Sequence, residues 1–150
     1  MKKFLIFLSK VLLIYSFSGG LYLMIETLYR GYTYLEMYYL AGILGVIAYF
    51  INNILSYDFD FSLQVLIMTA IGTFGEGLVG NIFNKDYHIW DYRMLPLSFW
   101  NDQCNLIFVL CWLVLFIIGI PLLDYIGYKC WNEPKPYYKV FGKIIKGRAD

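Results

Sequence analysis

The segment LIFVLCWLVLFIIGIPLLDYIGY, residues 106–128, decides the fold of this chain. A hydrocarbon layer about 30 Å thick needs about 20 consecutive apolar residues in a helix, because lipid cannot satisfy open backbone polar groups. Three further segments meet this requirement, namely residues 11–29, 37–55 and 62–83. The sequence therefore predicts an all-α fold, a polytopic transmembrane helical bundle of about four spans.

The composition excludes an ordinary water-soluble domain. Of the 150 residues, 60% are hydrophobic and only 15% are charged, too few to cover an apolar core with a polar surface. The net charge of +1 argues against a nucleic-acid partner, since such a surface would be strongly basic. We expect membrane lipid as the main partner. Lys10 interrupts the N-terminal apolar run and no cleavage site follows it, so we interpret this run as part of a retained first span, not a secretory signal.

Basic residues decide the expected orientation, because Lys and Arg are enriched on the cytoplasmic side of membrane spans. Those that flank the two ends of the chain are Lys2, Lys3, Lys10, Lys129, Lys135, Lys139, Lys143, Lys146 and Arg148. Those in the first and third loops are only Arg30, Lys85 and Arg93. We therefore expect a multi-pass protein of the bacterial plasma (inner) membrane with both termini in the cytoplasm. The second loop, residues 56–61, has no basic residue and does not contribute to this argument.

The chain divides into a transmembrane four-helix domain, residues 1–128, and a basic cytoplasmic tail, residues 129–150. The third loop, residues 84–105, is rich in aromatic side chains, which favour the outer membrane interface, and we expect a short helix after Pro96. The tail has two interpretations: it docks on the anionic inner leaflet, or it is solvated and loosely ordered. We expect the three cysteines to be free thiols.

Glycines are densest in the third span, at Gly72, Gly75, Gly77 and Gly80. Small residues let helix backbones approach closely in lipid. The third span is therefore predicted at the centre of the bundle or at a subunit interface. The alternative is that these glycines make room for bulky side chains of neighbouring elements.

Glu26 and Glu76 are the candidate functional residues, because carboxylates inside membrane spans commonly mark ion or substrate paths. Both lie in the outer half of spans that run in the same direction, so they can share one depth. Together they could hold a cation or share a proton, with Asn81 as a neutral oxygen donor. In the structural alternative, Glu26 pairs with Arg30 one helical turn later, and Glu76 bonds to a neighbouring helix.

The third loop also carries His88, Asp91, Asp102 and Cys104, but their spacing matches no metal site or catalytic triad. The glycines of the third span lack the lysine of a phosphate-binding loop. We therefore expect no catalytic residue, metal or cofactor, and we do not expect an enzyme.

One set of residues recurs in the order of a known family. The set is Gly19-Gly20-x-Tyr22-x-x-Ile25-Glu26, Arg30-Gly31-x-Thr33, Met37, Glu76, Trp90-Asp91-Tyr92 and Pro96. Over residues 18–112 the chain resembles the bacterial ABC-transporter type IV (CmpB-like) permease family of small multi-span proteins. The resemblance implies a permease-like role in which Glu26 and Glu76 form the polar site.

The same resemblance implies that Arg30, Trp90, Asp91 and Tyr92 have structural or gating roles. The chain departs from the family at Arg93, where members often have serine. It also departs at residues 101–102, before the fourth span, where members have a small residue or glycine.

Three functions remain open at this point. The first is a transport component that acts as a homo-oligomer, since four spans enclose little space. The second is a holin-like pore-former, suggested by small size, several spans and a basic tail. The third is a non-transporting scaffold or accessory subunit that binds a partner subunit through the third loop or the tail.

Overall fold

In a computed structural model that describes residues 2–146, four long helices form most of the protein. They are α1 (Lys2–Arg30), α2 (Leu35–Leu55), α3 (Phe61–Phe83) and α4 (Leu106–Trp131). Each is long and apolar enough to cross a membrane. The predicted all-α transmembrane fold is confirmed. Arg148, one of the basic residues used for the orientation, lies outside the described residues.

Polar side chains define where the later helices begin. The carboxylate of Asp60 accepts the backbone N–H groups of Ser62 and Leu63 at the start of α3. Asn105 accepts the N–H of Ile107 at the start of α4. Such caps satisfy donors that have no partner within the helix, and both helices start within one residue of the predicted position.

Helices α1 and α2 form a close antiparallel pair. A Cβ atom added at Gly19 would lie 2.8 Å from the backbone oxygen of Tyr38, and one at Gly42 would meet the ring of Tyr15. Glycine at these positions lets the two backbones approach closely, as is common between helices in lipid.

Helix α3 packs against α2 and α4, whereas α2 is the described helix that packs against all three others, so the predicted central position of the third span is wrong for the single chain. Gly72 faces Phe116 of α4, Gly75 faces Leu40 of α2, and Gly77 faces the ring of Trp100 in the third loop. These glycines make room for bulky neighbours, as the alternative explanation expected, and a position of the third span at a subunit interface stays a prediction.

The third loop contains a small hairpin of β1 (Ser98–Phe99) and β2 (Cys104–Asn105). The expected short helix after Pro96 is wrong. Trp100, Asn101 and Asp102 all have positive φ angles of 52° to 57°, which reverse the chain instead of continuing it as a right-handed helix.

The C-terminal tail forms a second hairpin, β3 (Tyr138–Val140) and β4 (Lys143–Lys146), which packs against the loop between α2 and α3. Lys139 lies 2.5 Å from a carboxylate oxygen of Asp58, and the N–H of Phe141 donates to Asp60 at 2.6 Å. That N–H and the N–H groups at the start of α3 hold the pKa of Asp60 below its usual range. A loosely ordered tail is therefore wrong for the described residues. Docking on lipid stays a prediction.

Candidate functional site

A cavity of about 640 Å³ separates α1 from α4 at the end of the helices where the third loop lies. We call it the α1–α4 cavity. It exists because α1 packs along α2 and not along α4. The side chains that line it are Tyr22, Ile25, Glu26, Tyr29, Arg30, Met37, Trp90, Tyr92, Ile107, Phe108, Leu110, Cys111, Val114 and Leu115. A smaller apolar cavity of about 90 Å³ shares Tyr22, Ile25 and Leu115 with it.

Glu26 and Arg30 form the charged part of the cavity lining. The Nη2 atom of Arg30 lies 3.0 Å from Oε1 of Glu26, and the hydroxyl of Thr33 donates to Oε2. The Nη1 atom of Arg30 donates to the backbone oxygen of Ile89 at 2.7 Å. The guanidinium also lies 4.6 Å from the centre of the Tyr32 ring. The pairing of Glu26 with Arg30 is confirmed, and it attaches the end of α1 to the third loop.

Glu76 is buried behind the cavity, with 3% of its surface exposed. Its carboxylate accepts the hydroxyl of Tyr92 at 2.8 Å and the indole N–H of Trp112 at 3.2 Å. In residues 2–146 no basic side chain lies within ion-pair distance of it. The predicted hydrogen bond to a neighbouring helix is confirmed, since Trp112 belongs to α4. Glu76 thus joins α3, α4 and the third loop.

Aromatic rings lie between Glu76 and the cavity. Tyr92 stacks on Phe108 with ring centres 4.6 Å apart, and Tyr22 stacks on Trp112 at 5.6 Å. Both tyrosines line the cavity. Tyr92 donates directly to Glu76, and Tyr22 stacks on Trp112, which also donates to Glu76. The carboxylate of Glu26 therefore lies in the cavity lining, and the carboxylate of Glu76 lies behind the ring of Tyr92.

The two glutamates have separate partners. Among the described residues no hydrogen bond joins them, and no group of three acidic, histidine or cysteine side chains is arranged to hold a metal ion. Asn81 is not part of the cavity lining. Its side-chain N–H donates to the backbone of Gly77, and its oxygen accepts from Asn101 at 2.7 Å. A shared cation on Glu26, Glu76 and Asn81 stays a prediction.

The Trp-Asp-Tyr segment places its three side chains differently. Trp90 and Tyr92 are each 7% exposed and line the cavity. Asp91 is exposed and pairs with Arg93 at 2.7 Å, and the hydrogen bonds from Arg93 lower the pKa of Asp91 to about 2. Arg93, which departs from the family pattern, therefore neutralises an exposed carboxylate. It does not reach the cavity.

Two residues that the sequence did not single out hold this segment in place. The amide of Asn84 donates to the backbone oxygen of Trp90 at 2.7 Å, and its oxygen accepts the N–H of Ile89. The backbone oxygen of Gln103 accepts the indole N–H of Trp90 at 3.0 Å. Both Asn84 and Gln103 are buried. No pattern in the sequence distinguishes them from ordinary polar loop residues.

A third intramembrane acid, Asp124, was also missed. It is 3% exposed within α4, and one of its oxygens accepts the amide of Asn52 at 2.7 Å and the hydroxyl of Tyr138 at 2.6 Å. The signal was present, since Asp124 interrupts an otherwise apolar span. It lies at the tail end of the helices and attaches the tail to α2 and α4.

The polar residues of the third loop do not converge. His88 lies 2.5 Å from Asp86 at the surface, and this contact lowers the pKa of Asp86. Cys104, in β2 of the hairpin, is fully buried. Cys104, Cys111 and Cys130 are all free.

The fold and the cavity define a multi-pass α-helical membrane protein whose helices contact lipid. No family model, no curated protein and no solved structure matches the chain.

Proposed function

We propose that the protein is a permease-like membrane transport component of the CmpB-like type and that the α1–α4 cavity is its substrate site. The observation that carries this proposal is the pairing of Glu26 and Arg30 in an otherwise largely apolar cavity of about 640 Å³. Ligand sites of this size commonly combine apolar walls with a few placed polar groups.

The packing of the helices allows α1 to move relative to α4. Helix α1 packs mainly along α2, whereas α2 also packs against α3 and α4. In the proposed mechanism α1 moves against α4 and opens the cavity to either side of the membrane in turn. Rigid-body movement of one helix group against another is the usual basis of alternating access.

Association with further copies is part of the proposal. Large side chains at the cavity end of α1, such as Met24, Leu28 and Tyr29, are more than half exposed. Lipid can cover such a surface, but a second copy can also cover it and complete the wall of the cavity. The structural support for a homo-oligomer is this uncovered face.

Cys111 gives a test that needs no known substrate, because this native thiol lines the cavity. In a Cys130→Ser variant, a charged maleimide that does not cross membranes would be added to right-side-out and to inside-out vesicles. Cys104 is fully buried and reacts slowly. We expect modification of Cys111 in both preparations, since a transporter exposes its site to both sides in turn.

The matched control is Cys111→Ser, which keeps Cys130 near the tail end and should react from one side only. Modification of Cys111 from one side, or from neither, would contradict the transport proposal. It would instead favour an accessory subunit or scaffold. A holin-like pore is the outcome if both sides react and the vesicles also lose a trapped dye.

A further inference from the structure

The charges around the α1–α4 cavity do not balance. Two carboxylates, Glu26 in the lining and Glu76 behind Tyr92, face one guanidinium, that of Arg30. Glu26 is paired with Arg30, whereas Glu76 is held only by the hydroxyl of Tyr92 and the indole of Trp112. A buried carboxylate without an opposite charge is unfavourable unless it is protonated, so the cavity has no excess of positive charge that would attract an anion, and Glu26 is the acid that a cation in the cavity would meet.

The guanidinium of Arg30 is a poor receptor for an anion. Its Nη1 atom donates to Ile89, and its Nε and Nη2 atoms are buried, with no partner other than the ion pair between Nη2 and Glu26. Contact with Glu26 and with the Tyr32 ring further offsets its charge. An anion in the cavity would therefore lie near two carboxylates with little access to the positive charge.

The uncharged part of the lining favours the same class of ligand. Aromatic rings of Tyr22, Trp90, Tyr92 and Phe108 contribute to the wall. The face of an aromatic ring attracts cations, and this attraction is strongest where water is excluded. Apart from Tyr29, Cys111 and the charged pair, the rest of the wall is aliphatic or methionine, and it continues into the smaller apolar cavity.

We propose that the α1–α4 cavity binds a lipophilic organic cation, with its apolar body between α1 and α4 and its charge beside Glu26 and the aromatic rings. This inference rests on the proposed function and names its substrate class. The carboxylate of Glu26 can accept the ligand because a carboxylate has about four acceptor positions, of which Arg30 and Thr33 occupy two.

Tetraphenylphosphonium and tetraphenylborate are suitable probes, since they have similar size and shape but opposite charge. Equilibrium binding to the full-length protein in mild detergent would be measured for both. We expect saturable binding of the cation and no saturable binding of the anion. Equal binding of both ions, or binding of neither, would overturn the proposal.

Two pairs of variants locate the site. Glu26→Gln should weaken binding of the cation at least about tenfold, whereas Glu36→Gln removes the same charge outside the cavity lining and should not. Val114→Trp should abolish binding by filling the cavity, whereas Ile118→Trp adds the same ring one helical turn further along the same face of α4, outside the cavity lining, and should not. If Glu26→Gln does not fold, the comparison of Val114→Trp with Ile118→Trp tests the proposal. Undiminished binding by Val114→Trp would overturn the proposal.

Phosphatidylethanolamine also carries an ammonium group, so it would be added as a competitor. Displacement of tetraphenylphosphonium by this lipid would show that a headgroup is the natural occupant and would overturn the proposal, while the lack of displacement supports it. This binding test is independent of the test on Cys111. If the cation binds but Cys111 is not modified from both sides, the ligand class stands and the transport proposal is rejected. If Cys111 is modified from both sides but the cation does not bind, the transport proposal stands and the ligand class is rejected.

Discussion

At the scale of single residues, Glu76 combines a structural role with a position beside the candidate site. It is the only acceptor that the structure gives to both the Tyr92 hydroxyl and the Trp112 indole within the described chain. These donors come from the third loop and from α4, so Glu76 determines how the two elements meet around α3. A stability role and a binding role therefore need to be separated by experiment.

Two substitutions of Glu76 test its role in stability separately from any role in binding. Glu76→Ala leaves two buried donors without an acceptor, and each costs about 1–3 kcal/mol. Glu76→Gln keeps one amide oxygen and should retain most of the stability. The midpoint of unfolding in a titration with a denaturing detergent measures the difference. Glu36→Ala, in the first turn of α2, is the control and should change little. Equal stability of Glu76→Ala and Glu76→Gln would contradict the structural role.

The sequence predicted Glu26 and Glu76 because an acid in an apolar span stands out against its neighbours. It also predicted their structural partners in outline, since Arg30 follows Glu26 by one helical turn. It did not predict the hydrogen bonds of Asn84 and Gln103, because these depend on how the third loop folds back and brings together two residues that are 19 positions apart. Local patterns carry no information about such contacts.

At the scale of elements, the spans were predictable and the connections were not. Span length and hydropathy follow from the thickness of the membrane, and the helix bounds agree closely with the predicted segments, apart from the earlier start of α1 at Lys2. The hairpin of the third loop depends on three consecutive residues with positive φ, none of which is glycine. The tail hairpin depends on acids from another loop, which the sequence places about 80 residues away.

The attachment of the tail can be tested at Tyr138. Tyr138→Phe removes the hydroxyl that bonds Asp124 but keeps the ring beside Phe61, 4.9 Å away between ring centres. Loss of one buried hydrogen bond costs about 1 kcal/mol, which corresponds to about fivefold more open tail. We therefore expect trypsin to cleave at Lys139 about fivefold faster, as measured by gel electrophoresis over time.

Tyr125→Phe is the control for this experiment, because Tyr125 is half exposed on α4. Its cleavage rate should equal that of the original protein. If Tyr138→Phe is also cleaved at the original rate, the hydroxyl bond to Asp124 does not hold the tail.

At the scale of the whole molecule, the expected orientation depends on how the tail packs against the second loop. The second loop, residues 56–61, has no basic residue of its own, but Lys139 of the tail lies against its Asp58. The loop and the tail therefore form one surface, and the lysines of the tail should be counted together with the acids of the loop. That surface still has the basic excess that is typical of a cytoplasmic side.

The predicted orientation places the third loop outside the cell and the tail inside. Met94, 92% exposed in the third loop, provides a position for a single cysteine in a background without Cys111 and Cys130. We expect an impermeant maleimide to label Met94→Cys in intact cells, because no membrane protects the loop. A variant that keeps only Cys130 near the tail should react only after the cells are permeabilised. The opposite pattern would invert the topology and place the open end of the α1–α4 cavity on the cytoplasmic side, where a lipophilic cation would enter it from within the cell.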